Sequence, residues 1–203
     1  MAKKRLYVAY GSNLNIHQMR LRCPTAKLVG TGIVEDHELQ FKGAANHSYA
    51  TITESEGETV PVAVWELQPR DEKFLDRYEG YPSHYFKQDI SVKMDNGEEV
   101  TGMVYIMDLK QKFGMPSAGY LMTVYDGYKD CKLDVEYLKN AVRNSAVKFA
   151  AELSEELINA IKPKKQMSLF DLDGEDDSED NDENNGEELD EEESDDWRYF
   201  FSQ

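Results

Sequence analysis

Two short stretches carry residues whose types and spacing suit acid–base chemistry on a small anionic molecule. The first is Gly11-Ser12-Asn13, directly after the strand-like run RLYVAY at residues 5–10. A strand, a glycine turn and a helix start bring backbone N–H groups together, and the helix dipole adds positive potential. A phosphate or a carboxylate suits such a turn. Neither GxGxxG nor GxxxxGK[ST] is present, which disfavours the phosphate. The same residues also read as a plain strand-to-helix turn, with Gly11 at positive φ and Asn13 as the helix cap. The second stretch is LDRYEGYPSHYF, residues 75–86. Glu79 closes a helical pattern there, where the dipole disfavours a carboxylate. Tyr78, Tyr81, Pro82 and Tyr85 flank it and supply apolar surface. Both effects raise a carboxyl pKa toward the range of a general base. A solvated glutamate at a helix end is the bland alternative.

Several elements must position these residues. Residues 5–10 are β-branched and aromatic, a strand pattern. NIHQMRLRC, residues 15–23, is a short helix stopped before Pro24, with Ser12, Asn13 and Asn15 all available as N-caps. Strands are expected over 28–34, 37–42, 49–53 and 59–67. A helix starts at Pro69, with Asp71 and Glu72 in its first turn, and stops at Gly80 and Pro82. Strands over 88–94 and 99–107 flank Asn96-Gly97, a hairpin signal. Helices follow over 117–127, 133–148 and 154–162. Strands come first and helices later, with one helix between strands. The order describes an α+β domain whose mixed, largely antiparallel sheet is barrel-like and flanked by helices. The domain is expected to span 1–163, and 164–203 to be a disordered acidic tail.

The net charge of −17 belongs to that tail. Residues 171–196 hold 17 of the 40 acidic residues and no Lys or Arg, which leaves 23 acidic against 23 basic elsewhere. Such a run cannot bury enough apolar surface to offset the cost of ordering it. A tail of this charge is repelled by phosphate, and no basic cluster with interleaved aromatics is present, so nucleic acid is not an expected partner. No stretch approaches the roughly 20 apolar residues of a membrane span. The apolar run at the start is too short for a signal peptide, and Cys23 and Cys131 read as two reduced thiols, so the expected location is cytoplasmic. His17, His37, His47 and His84 show no metal-ligand spacing, and no metal is expected. Tyr120, Tyr125 and Tyr128 read as a packed helix face.

Taken together, Tyr10-Gly11-Ser12-Asn13-Leu14, Leu75-Asp76-Arg77-Tyr78-Glu79-Gly80 and Tyr85 resemble the γ-glutamylcyclotransferase-like (AIG2-like) family. The run PSAGYLMTVYDGYKDCKLDVEYL is similar to the C-terminal part of that family, so the resemblance covers about residues 5–145. It implies a cofactor-independent enzyme that cyclises a γ-glutamyl amide to 5-oxoproline and frees an amine. It implies Glu79 as general acid and base, and a substrate site of Tyr10, Gly11, Ser12, Asn13, Leu14 and Tyr85. The turn amides would hold the glutamyl α-carboxylate or the oxyanion. Tyr10 and Tyr85 would line the pocket or donate hydrogen bonds, or else pack in the core.

The tail offers a second class of function, a non-catalytic module that acts through a protein partner. Gln166, Leu169 and Phe170 sit in QMSLF, which resembles the short Gln-x-x-Leu-Phe peptides that bind the bacterial sliding clamp. The same five residues also read as a hydrophobic latch on the domain. Trp197, Tyr199, Phe200 and Phe201 follow the acidic run and read as a docking peptide, or as a segment that folds back on its own chain.

Overall fold

The computed structural model describes residues 5–108 and 110–161. A closed five-stranded barrel, ordered β1-β3-β2-β4-β5, forms its centre. β1 (Arg5–Ala9) pairs antiparallel with β3 (His47–Leu67) and parallel with β5 (Glu99–Met107), where Tyr7 lies opposite Met103. The remaining pairs are antiparallel: β2 (Lys27–Ala44) with β3 and with β4 (Tyr85–Met94), and β4 with β5. Val8, Val62, Val64, Val92 and Val104 are fully buried, the placement that β-branched residues on a pleated sheet favour. The architecture is α+β with a barrel sheet, as the order of elements implies.

The four strand segments expected between residues 28 and 67 are two long strands. The β2–β3 ladder runs from Lys27 opposite Glu66 to Ala44 opposite His47. It survives two irregularities. Val29 is an extra residue in β2, and residues 55–58 of β3 face Asp36 alone. Asp36 takes φ 54° and accepts a hydrogen bond from Gly57 N–H at 2.9 Å. A bulge absorbs surplus residues without ending the pairing, so a polar, glycine-containing run that reads as a loop is spanned.

Four α-helices among the described residues flank the barrel. α1 (Ile16–Arg22) is capped by Asn15, whose side chain accepts from Gln18 N–H at 2.9 Å. α2 (Pro69–Tyr78) starts at a proline and is held by buried Asp71, which accepts from Gln68 N–H at 3.0 Å and from the Thr25 hydroxyl at 2.6 Å. α3 (Ala118–Asp130) starts at Ser117, which accepts from Tyr120 N–H at 3.3 Å. α4 (Val135–Ile161) is continuous where two helices were expected, because residues 149–153, FAAEL, contain no breaker. Its first half packs on β2, with Ser145 Oγ accepting from Phe41 N–H at 3.0 Å. None of the described helices is long and apolar enough to cross a membrane. The expected domain limit at 163 and the tail residues Gln166 to Phe201 lie outside the described residues.

Candidate active site

The way α2 ends places Glu79. Tyr81 N–H donates to Asp76 O at 2.9 Å and Gly80 N–H to Arg77 O at 3.3 Å. Gly80 takes φ 63°, the left-handed conformation that such a helix stop requires. Glu79 is thereby the residue that caps α2, and its carboxylate meets the turn that follows β1. Asn13 Nδ2 donates to Glu79 Oε1 at 2.8 Å.

That turn is a single 3-10 turn over Ser12–Leu14, closed by Leu14 N–H to Gly11 O at 3.0 Å and Asn15 N–H to Ser12 O at 3.2 Å. Gly11 has φ −115°, so a positive φ is not what it supplies. A Cβ there would lie 3.2 Å from both Ala50 Cβ and the Tyr120 hydroxyl, so glycine supplies room. Asn13 is not the cap of α1. Asn15 takes that role and leaves the Asn13 amide to Glu79 and to the Tyr7 hydroxyl, which accepts from it at 2.8 Å. α3 holds the turn from behind. Ile16 N–H donates to the Asp130 carboxylate at 3.0 Å and Cys131 Sγ to Leu14 O at 3.3 Å.

Between the turn and Glu79 lies a small, partly open cavity. Four elements send tyrosines into its wall besides Tyr10: Tyr7 from β1, Tyr85 from β4, Tyr105 from β5 and Tyr120 from α3. Each is tied down. Tyr10 donates to Tyr105 O at 2.6 Å, Tyr85 donates to Ala50 O at 3.0 Å, and Tyr120 accepts from Ala50 N–H at 3.1 Å. The Tyr105 hydroxyl donates to Asp76 Oδ1 at 2.6 Å. Burial raises the pKa of all five phenols, so they stay protonated and act as neutral donors.

Glu79 is the carboxylate of this cavity. Burial pushes its pKa from 4.5 up to about 7, against the opposing pull of the Arg22 charge and the Asn13 hydrogen bond. Oε1 is occupied by Asn13, and Oε2 has no protein partner among the described residues. A carboxyl half-ionised near neutrality, with one oxygen fixed and the other facing a cavity, can take a proton and give it back.

Of the residues singled out in the sequence, the structure brings Tyr10, Gly11, Ser12, Asn13, Tyr85 and Glu79 around one cavity. Leu14 is fully buried and does not line it; it packs where α3 crosses the turn. Tyr120 lines the cavity rather than serving as plain packing, whereas Tyr128 of the same run is wholly buried in the core. Sequence reasoning passed over Tyr7, Tyr105 and Arg22. A strand tyrosine in a core and one in a site look alike in sequence. Arg22, in the last turn of α1, reads as a complement to the helix dipole, which hides its reach to Asn13.

Comparison with known proteins agrees with this geometry. The family profile described as "Gamma-glutamyl cyclotransferase, AIG2-like" matches residues 7–122. A gamma-glutamylcyclotransferase from Bos taurus is 31% identical over 165 residues, 77% of this chain and 87% of that protein. One from Homo sapiens is 29% identical over 172 residues, 81% of this chain and 91% of that protein. A solved structure titled "Gamma-glutamyl cyclotransferase" superimposes with a TM-score of 0.62 at 29% identity, covering 68% of this chain and 86% of that one. With the strand–turn–helix start, the closed barrel and the helix-end glutamate in place, the chain belongs to the gamma-glutamyl cyclotransferase, AIG2-like family of enzymes.

Proposed function

We propose that the protein cyclises a γ-glutamyl amide to 5-oxoproline and releases an amine, with Glu79 as the one acid–base group. The observation that carries this reading is the Glu79 carboxyl itself. It is raised to about 7, fixed through one oxygen by Asn13, and lines a cavity shared with Gly11, Ser12 and Asn13 of the turn.

The substrate's α-ammonium cannot attack while protonated. Glu79 carboxylate takes a proton from it. The amine nitrogen then attacks the γ-carbonyl carbon and forms the ring bond. Glu79 returns that proton to the leaving nitrogen and, again a carboxylate, takes the second surplus proton from the ring nitrogen. The bond from the carbon to the leaving nitrogen breaks as the tetrahedral intermediate collapses. Glu79 passes the second proton to the freed amine, which departs as an ammonium. Protons balance, and no water or cofactor is consumed. One group serves as base and then acid because its pKa lies between those tasks. In this reading the Ser12 and Asn13 amides, at the open end of the 3-10 turn, receive the glutamyl α-carboxylate or the oxyanion. The protonated phenols of Tyr10 and Tyr85 line the pocket around it. Holding the chain folded, so that nitrogen meets carbonyl, supplies the orientation effect.

A panel of γ-glutamyl amides, assayed for released 5-oxoproline, tests the reaction; no product from any of them would sink it. A second expectation concerns pH. Below about 7 Glu79 is protonated and cannot accept a proton, so kcat/KM should rise with pH and reach half its plateau near 7. It should fall again at higher pH, where the substrate ammonium, held up by its neighbouring α-carboxylate, deprotonates. A profile flat from pH 5.5 to 7.5 would count against Glu79 as the base.

A further inference from the structure

We propose that Arg22 is a positioning residue that orients Glu79 through Asn13 and tunes it by its charge. The proposal rests on the reading of Glu79 as the base.

Asparagine carries a built-in ambiguity. Its amide oxygen and nitrogen occupy nearly the same shape, so either can face a neighbour. Only one orientation is productive here: Nδ2 toward Glu79, because Oδ1 would repel the carboxylate. Arg22 Nη1 donates to Asn13 Oδ1 at 2.6 Å. A guanidinium has donors and no acceptor, so the atom facing it must be the amide oxygen. Nδ2 is then compelled toward Tyr7 and Glu79, both at 2.8 Å.

Arg22 is itself fixed. Nη2 donates to Gln18 Oε1 at 3.0 Å, Nη1 also reaches Ser12 Oγ at 3.3 Å, and the guanidinium stacks 3.7 Å over the Tyr78 ring. Tyr78 immediately precedes Glu79, so this one side chain joins α1, the turn and the end of α2. None of its hydrogen-bond partners is anionic, which leaves its charge to act on Glu79. The other titratable groups near Glu79 are six phenols, Tyr7, Tyr10, Tyr78, Tyr85, Tyr105 and Tyr120, and the Cys23 thiol, which burial also pushes up. Burial keeps all of them neutral. Asp76, behind Tyr105, is paired with Lys87 at 2.5 Å. Arg22 is the cation that favours the ionised form of Glu79.

The test uses the full chain without substrate, following the Glu79 carboxyl by ¹³C NMR as pH is raised. In Arg22→Gln the midpoint should move up by about one pH unit, and in Arg22→Lys it should stay near the native value. An unmoved midpoint in Arg22→Gln would overturn the tuning role. Should the Gln variant fail to fold, the Lys variant decides the orienting role. Lysine keeps the charge and loses the planar fork, so the Asn13 side-chain amide protons should exchange at least about tenfold faster than in the native chain. Unchanged exchange would overturn that role. Glu79→Gln activity is a separate readout: if that variant still turns over, the base assignment fails, whatever the titration shows.

Discussion

Glu79→Gln is expected to lower kcat by about a thousandfold or more while substrate affinity stays within about threefold. Gln keeps the shape and retains an oxygen for the Asn13 hydrogen bond, now 2.8 Å from Glu79 Oε1. What it lacks is a site that can hold the transferred proton. Steady-state kinetics with calorimetric binding separates the two quantities, and a rate within tenfold of native would remove Glu79 from the mechanism. The same substitution should stabilise the fold. A carboxyl raised from 4.5 to about 7 in the folded chain makes ionisation unfavourable to folding by about 3 kcal/mol at pH 8. This cost is absent well below 4.5, where both folded and unfolded states are protonated, grows between 4.5 and about 7, and is complete above that. Urea unfolding should therefore find Glu79→Gln more stable than native at pH 8, with the gap closing toward pH 4. A gap that widened at low pH would contradict the burial argument. Loss of activity with gain of stability is the pattern of a group held in an environment unfavourable to its charge.

The second large effect is expected far from the carboxylate. Gly127 lies in α3 where the helix crosses the 12–14 turn. A Cβ added there would lie 2.6 Å from Asn15 N, 2.7 Å from Leu14 Cβ and 2.8 Å from Leu14 C. Two of these atoms are backbone and cannot step aside. Gly127→Ala should cost about 2 kcal/mol from overpacking, despite the better helix propensity of alanine. Because α3 also carries Tyr120 into the cavity, kcat/KM should drop by tenfold or more as the turn shifts. Gly119→Ala is the control. It lies in the same helix, its Cβ would meet nothing within 4 Å, and it should be close to neutral in both measurements. Equal behaviour of the two variants in thermal unfolding would show that the crossing is not tight.

The local parts of the site are legible in the sequence alone. The Gly11–Asn13 turn and the Glu79 helix end were legible because each is local: glycine, capping residues and a helix stop lie within a few positions of one another. Their meeting was inferred from resemblance, since residues 66 apart carry no spacing signal of their own. Tyr7, Tyr105 and Arg22 stayed hidden for the same reason; only barrel closure gives them a common cavity. The roles within the turn were exchanged. Two asparagines stand two residues apart, both suited to capping, and α1 selects Asn15. Strand content was visible in β2 and β3, but their continuity was not, because Asp36 against residues 55–58 reads as a break until the register is seen to resume. The junction within α4 was the opposite case, a helix divided where no residue obliges it to stop.

The pairing of β1 bears on how the protein comes into being. The strand is made first, yet its partner in β5 lies 96 positions later, Tyr7 against Met103. On a ribosome β1 can pair with β3 once residue 67 has emerged, but its other edge must wait for β5, since contacts so distant in sequence form late. During that wait one edge of the strand is unpaired, a period of aggregation risk. No fragment that stops short of β5 can hold Tyr7, Asn13 and Glu79 in register. Recovery of catalysis after dilution from denaturant is therefore a clock for one event, the seating of the first strand between the third and the fifth.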